Sequence, residues 1–544
     1  MKQNVKRIIA AICFIMLMYI DKVVGTESQF IWFITNNLVG VVFSILIMSA
    51  FSFKSFIKPF YIIWSVLGIL GTIGGYAFWY ANQIDYIMAF CVTVPLNIWF
   101  LGMVAVKYLK TVIVTKELKL RFDKWEIVFA LCCFLMLLSR SDYIWPIYYM
   151  IIFLMLWHAP FSADDRKQVF NGMLDGIIIG FALLQIYALV TLKYVTPRYY
   201  GAYGDCNRNA CMYLLVLSAT LTRMIMLRNQ ILKSKLLGLL TSLIIALLLY
   251  TGCRSAFAGI IGIIGVYSLI GLKYICKEKW SRVVLDLLGL FVVAVILLPV
   301  IYIPIRYCPE YSRRLYAKIN ELRTGTHTEQ LSTDEYVTFG EVLDSTILRF
   351  FKSDVEDDIE NSVSDYTSIG GSRYLKTHRT NSPNTPYYTL TYTYVNHPER
   401  GEITFRVPKK LYGGFNSFNH RINIYLVLLK NLNLIGHSGD ELFIDIVSDV
   451  PGAEMVPLRN EQNFVLHFMY TYGIPVGLLV CALLIAETVF FFKSAKKSSI
   501  EGIGFLMFTM AYFCMGLMEV VWIPGQLVLI LPFAAPFFFE QHSI

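Results

Sequence analysis

The chain has 544 residues, of which 56% are hydrophobic, 15% aromatic and only 16% charged. About a quarter of the residues of a soluble domain are charged, so this balance excludes disorder, a fibrous protein and an ordinary soluble enzyme, and it indicates a polytopic membrane protein. The net charge of +9 would point a soluble protein toward nucleic acid. Here the basic residues sit mainly in short loops between apolar runs, so no nucleic-acid partner is expected. The cysteines lie mostly in apolar segments, as at Cys132 and Cys133, with no CxxC pair and no metal-like Cys/His spacing. Neither a disulfide framework nor a metal nor another cofactor is expected.

Lys2, Lys6 and Arg7 precede the first apolar run. Asp21-Lys22-Val23-Val24-Gly25 follows it, with no small-x-small cleavage site, so the run reads as a membrane helix and not as a signal peptide. A bilayer crossing takes about 20 apolar residues. On that length the sequence predicts helices over 8–24, 30–52, 59–81, 84–106, 126–139, 143–158, 171–192, 210–227, 236–252, 255–272 and 283–304, then 466–492, 502–522 and 526–540. Gly71 and Gly75 form a GxxxG that reads as helix packing. The expected fold class is an all-α polytopic membrane protein of about 14 transmembrane helices, with one large extracytoplasmic α+β loop domain before the twelfth helix.

Lys and Arg concentrate in alternate connections: the N-terminus, Lys54 with Lys58, Lys107 to Lys124, Arg166 with Lys167, Arg223 to Lys235, Lys273 to Arg282 and Lys493 to Lys497. The positive-inside rule then puts the N-terminus in the cytoplasm. Residues 1–304 hold the first eleven helices, 305–463 an extracytoplasmic domain, and 464–544 the last three. Within the domain, Tyr387 to Val395 and Ile403 to Val407 flank turn residues, which predicts a β-hairpin near 387–407. Tyr387, Tyr388, Tyr392 and Tyr394 read first as strand packing and second as sugar-stacking groups.

Charged residues at the outer helix ends are few. Arg254 lies in the tight connection Thr251-Gly252-Cys253-Arg254-Ser255-Ala256. Asn207 and Arg208 lie just before the eighth helix, with Arg198 close by, and Arg421 opens a helix-like run late in the loop domain. An arginine fork matches phosphate oxygens with parallel hydrogen bonds, so this group suits a lipid-linked diphosphate. Each arginine could instead anchor a helix end among headgroups.

Four stretches, in order, resemble the superfamily of O-antigen polymerases and O-antigen ligases. They are Gly201-Ala202-Tyr203-Gly204-Asp205-Cys206-Asn207; Thr251 to Ala256; Arg421 with Tyr425, followed by Leu434-Ile435-Gly436-His437-Ser438-Gly439; and Gln462-Asn463-Phe464-Val465-Leu466 with Gly473-Ile474-Pro475-Val476-Gly477. The match covers roughly 195–275 and 415–480. The resemblance implies a GT-C-type membrane glycosyltransferase, metal-independent and inverting, that uses an undecaprenyl-diphosphate-linked glycan in the lipid bilayer. A chain-length regulator and a flippase of the same pathway are the implied partners. The resemblance also implies a bacterial plasma membrane setting. Together with the outer-end arginines, it makes Arg254, Arg421, Glu461 and His437 the catalytic candidates, and Arg208, Asn207, Arg198, Asn463, Gln462 and Glu519 the candidates for diphosphate or glycan contacts. Where ligases carry a histidine, this chain has Gln462, which cannot take a proton at neutral pH. That favours a repeat-unit polymerase over a ligase and leaves the general base among Glu461, His437, Asp440, Glu441, Glu519 and His467. A flippase is the other alternative; it would need a charged cavity at mid-membrane.

Overall fold

The computed structural model describes residues 2–23, 29–82, 85–116, 123–139, 145–192, 194, 198–324, 337–346, 374–380, 387–394, 402–408, 425, 428–429, 432–437, 444–448, 456–458, 463–517 and 526–539. Helices dominate: α1 (Lys2–Val23), α2 (Gln29–Met48), α3 (Pro59–Asn82), α4 (Asp85–Leu109), α5 (Lys124–Leu138), α6 (Trp145–Trp157), α7 (Ala163–Thr191), α8 (Cys206–Met226), α9 (Ile231–Thr251), α10 (Arg254–Val266), α11 (Trp280–Thr324) and α12 (Phe339–Thr346). After the long insertion come α13 (Phe464–Tyr472), α14 (Ile474–Lys496), α15 (Ile500–Gly516) and α16 (Leu527–Ala534).

Among the described residues, eight helices are long and apolar enough to cross a membrane. The chain is a multi-pass membrane protein, and eight of the about fourteen expected crossings meet that length. α5 has 15 residues, α6 has 13 and α15 has 17, at or below the short limit for a crossing. α16 has 8. The span expected over 466–492 is two helices, broken at Gly473, whose φ of 101° and ψ of 157° no helix accommodates. The span expected over 283–304 instead runs on as the 45-residue α11, through Pro299, Pro304 and Pro309. Prolines are tolerated inside such helices because neighbouring groups satisfy the freed carbonyls.

Glycines set the closest helix contacts. α1 lies along α7, where Gly172 and Gly176 meet the α1 backbone at Arg7 and Ala11 and Gly180 meets Met18. α3 packs on α4, with Gly75 against the Cys91 carbonyl and Gly71 3.5 Å, by its Cβ position, from Pro95. α8, α10 and α15 form the centre. A Cβ at Gly259 would lie 2.6 Å from Leu214, one at Gly262 3.3 Å from Met510, and one at Gly504 3.3 Å from Thr222.

In the insertion, five strands are described by their backbone: β1 (Tyr374–Thr380), β2 (Tyr387–Tyr394), β3 (Glu402–Pro408), β4 (Ile444–Ser448) and β5 (Val456–Leu458). They pair in the order β3-β2-β1-β4-β5. β2 and β3 are antiparallel, with Tyr387 opposite Pro408 and Thr393 opposite Glu402, while β1 and β4 are parallel.

Candidate functional site

Helix register shows which segments share a depth. At 1.5 Å per residue, Arg254 lies roughly 12 Å above Gly262 along α10, and Leu517 roughly 10 Å above Met510 along the neighbouring α15. On the α8 side, Asn209 stands above Leu214 by the same rise that separates Arg254 from Gly259. Asn209, Arg254 and Leu517 therefore share about one level. This is the end of the bundle from which α11 runs on toward the insertion, and it is called the insertion end below.

Two of the predicted stretches are bonded to one another there. Arg198 donates from Nε to the Thr251 carbonyl at 3.0 Å and from Nη2 to Asn207 Oδ1 at 3.1 Å. Tyr199 N donates to the Tyr250 carbonyl at 2.9 Å. Arg198 thus meets the negative end of α9 and the first turn of α8 together. Burial holds the Tyr194, Tyr199 and Tyr203 hydroxyls well above the usual phenol range, so they remain hydrogen-bond donors.

α8 and α10 both begin at this end. Asp205 caps α8, its Oδ1 accepting from Asn207 N and Arg208 N at 2.8 Å. α10 follows Gly252, whose φ of 58° makes the sharp turn out of α9, and Cys253 supplies no side-chain cap. Half-buried Arg254 is the first residue of α10. Ala256 N donates to the Cys253 carbonyl at 3.2 Å and Cys253 N to Thr251 Oγ1 at 3.3 Å, and Arg254 sets a guanidinium at the positive end of the helix, a local arrangement that favours an anion.

Arg208 is differently placed. Its Nη2 donates to the Asp21 backbone carbonyl and lies 3.4 Å from Asp21 Oδ1, while Asp21 Oδ2 accepts from Leu527 N at 2.8 Å. The pair is buried, at 15% and 3% side-chain exposure, under the Tyr203 ring. One carboxylate therefore joins the ends of α1, α8 and α16, and part of the Arg208 charge is committed to it. Asp21 was not among the residues expected from sequence. Its signal was an acid near the end of the first apolar run, which shows no partner until α8 and α16 are placed beside it.

The third and fourth stretches also meet. Asn463 caps α13, accepting from Val465 N at 3.0 Å and Leu466 N at 3.1 Å, and donates through Nδ2 to the Leu517 carbonyl at 3.0 Å. Tyr425 Oη donates to the same carbonyl at 3.2 Å. At the other end of α13, Trp145 Nε1 donates to Tyr472 Oη at 2.9 Å. The turn over 432–437 is fastened to the α13–α14 break: His437 N donates to the Tyr470 carbonyl, and Ile474 N to the Asn433 carbonyl, each at 2.9 Å. Gly436, with φ of 82°, and Gly473 face each other's backbones; a Cβ at Gly436 would lie 2.7 Å from Gly473 N.

His437 stacks on Tyr470 with ring centroids 4.2 Å apart. The Asn433 side-chain oxygen accepts from Ile435 N and Gly436 N, which leaves its Nδ2 to donate to His437 Nε2 at 3.2 Å. That bond occupies the Nε2 lone pair, so His437 braces this turn. His467 lies on α13 half-buried, with its ring 5.6 Å from Phe468 and 6.5 Å from Tyr472.

Arg421, Asp440, Glu441, Glu461, Gln462 and Glu519 lie outside the described residues. Among the described residues no three His, Cys, Asp or Glu side chains group so as to hold a metal ion.

The architecture defines a class, a multi-pass helical membrane protein. No family model, curated protein or solved structure matches the chain.

Proposed function

We propose that this protein is a membrane glycosyltransferase that polymerises polysaccharide repeat units. It transfers an undecaprenyl-diphosphate-linked glycan onto the non-reducing end of another lipid-linked unit at the outer face of the bacterial plasma membrane. In this reading the N-terminus is cytoplasmic, residues 305–463 form an extracytoplasmic α+β domain, and the short helices complete about fourteen membrane elements.

The observation that carries the proposal is the bonded meeting of Arg198, Asn207 and the Thr251–Arg254 turn at the depth of the Asn463–Leu517 contact. Arg254 and Arg198, with Arg421, would hold the diphosphate. Charge develops on the diphosphate as its bond to the anomeric carbon breaks, and fixed guanidinium groups stabilise that charge most in the transition state. The acceptor hydroxyl attacks from the opposite face, inverting the centre, and passes its proton to a carboxylate, Glu461 or Glu519. Arg208, tied to Asp21, would position the start of α8.

The test is Arg254→Ala in a strain lacking the chromosomal copy. Loss of one such donor costs about 2–4 kcal/mol of transition-state stabilisation, so polymer should collapse to single repeats while the protein still inserts. A normal ladder overturns the assignment, and long unattached chains on the carrier lipid indicate a ligase.

One observation favours a second reading, a flippase for the same lipid-linked glycans. Glu487 on α14 is 5% exposed, and among the described residues neither carboxylate oxygen has a hydrogen-bond partner. An ionisable group inside the membrane is a default functional position. Accumulation of lipid-linked units on one side of the membrane, rather than of unpolymerised units, would mark that reading.

A further inference from the structure

The end opposite the insertion carries a second feature, unrelated to the transfer site. α2 starts beside the end of α1 and its 20 residues span about 30 Å, so the turn after it lies at the far end of the bundle. That turn is a short 3-10 helix, Phe53–Phe56, with Phe56 buried against Met103 of α4. Its outer side is unusual for a loop: Phe53 is 79% exposed and Ile57 54% exposed, next to the exposed Lys54 and Lys58.

The end of α4 continues the same surface. Lys107 Nζ lies 5.4 Å from the Phe51 ring centroid. One turn on, a π-helical segment, Lys110–Val114, exposes Lys110, Ile113 and Val114 and leads to exposed Lys116. None of these five lysines forms an ion pair among the described residues. The sequence supplies none near Lys54, Lys58, Lys107 or Lys110, since no Asp or Glu occurs between Glu27 and Asp85 or between Asp85 and Glu117, the residue that follows Lys116. Some other cations at this end meet carboxylates, as Lys6 with Asp165, Arg7 with Asp175 and Arg228 with Asp286.

We propose that the α2–α3 turn and the end of α4 form a binding surface for the phosphate headgroups of anionic phospholipids. Phe53, Ile57, Ile113 and Val114 enter the headgroup–acyl boundary, where aromatic and aliphatic side chains are favourably placed. Lys54, Lys58, Lys107, Lys110 and Lys116 meet the phosphates, and the absence of carboxylates near the first four leaves their attraction uncancelled. Interleaved apolar and cationic groups fit a lipid rather than a free phosphate, which would have no use for the exposed Phe53.

The experiment counts lipids retained by the purified full chain, by native mass spectrometry, after equilibration in mixed micelles of phosphatidylglycerol and phosphatidylcholine. The wild type should keep phosphatidylglycerol selectively. A variant with Lys54, Lys58, Lys110 and Lys116 changed to Gln should lose it, with affinity falling about fivefold per lysine removed. Phe53→Ser should weaken retention with no change of charge. A control with Lys279, Lys493, Lys496 and Lys497 changed to Gln makes the same charge change near Glu278 and Glu501, and it should retain the lipid. Equal loss in the control, or undiminished retention in the first variant, overturns the proposal. So does inorganic phosphate that competes as well as the lipid. The readout requires no glycan transfer, so it is independent of the function proposed above.

Discussion

Gly473→Ala should open the contact between the 432–437 turn and the α13–α14 break. Gly473 has φ of 101° and ψ of 157°, a region essentially reserved for glycine, where another residue stores about 1–3 kcal/mol. Its new Cβ would also meet the Leu434 backbone, with the carbonyl carbon only 2.8 Å away. Backbone cannot swing aside as a side chain can, so overpacking adds roughly 1–3 kcal/mol. The sum is about 2–6 kcal/mol against a contact held by two main-chain hydrogen bonds, His437 N to Tyr470 and Ile474 N to Asn433. Hydrogen exchange followed by mass spectrometry reads those amides directly. Protection of His437 and Ile474 should fall at least about tenfold, since each 1.4 kcal/mol is one decade. Gly265→Ala is the control: its Cβ position is open, and it sits inside α10, where alanine is the better helix former. Wild-type protection at His437 and Ile474 in Gly473→Ala would refute the reasoning.

Asp21→Ala leaves the Arg208 guanidinium buried without its carboxylate, which should cost about 3–5 kcal/mol; thermal unfolding in detergent should show the drop, and adding Arg208→Met should recover part of it. Asn463→Ala removes the α13 cap, worth about 1 kcal/mol, whereas Asn463→Asp keeps the cap but sets a carboxylate oxygen where Nδ2 donates to the Leu517 carbonyl, so both variants should melt below wild type. Glu278 lies between α10 and α11, where burial raises its carboxyl but the adjoining Arg282 and Arg228 outweigh that and hold it below the usual range. A depressed folded-state value gives stability that is present above the unfolded-state value and lost as pH falls through the folded one. Acid unfolding of Glu278→Gln should therefore show a shallower acid-side slope than wild type.

The helical bundle was legible because lipid leaves the backbone no alternative to internal hydrogen bonding, so apolar length alone announces each element. The number of full crossings was less legible, since an apolar run such as that of α5 looks like a crossing helix until its capping box at Asp123 and its end at Leu138 show it to be 15 residues long. The break at Gly473 was hidden in uniformly apolar sequence, although Gly473-Ile474-Pro475 is a stop followed by a helix start with proline near its first turn. Of the site, the tight turn before Arg254 was readable from Gly252. The Arg208–Asp21 pair and the Gly436–Gly473 contact were not, because each joins segments distant along the chain and neither pattern has a local period.

The central claim is that the insertion end transfers glycan between lipid carriers, and reconstitution tests it most directly. Purified protein in proteoliposomes, given an undecaprenyl-diphosphate-linked repeat unit, should yield carrier-linked dimers and longer chains with one undecaprenyl diphosphate released per linkage, and Arg254→Ala should yield neither. A wild-type protein that moves the lipid-linked unit across the bilayer unchanged, or leaves it untouched, would contradict the account.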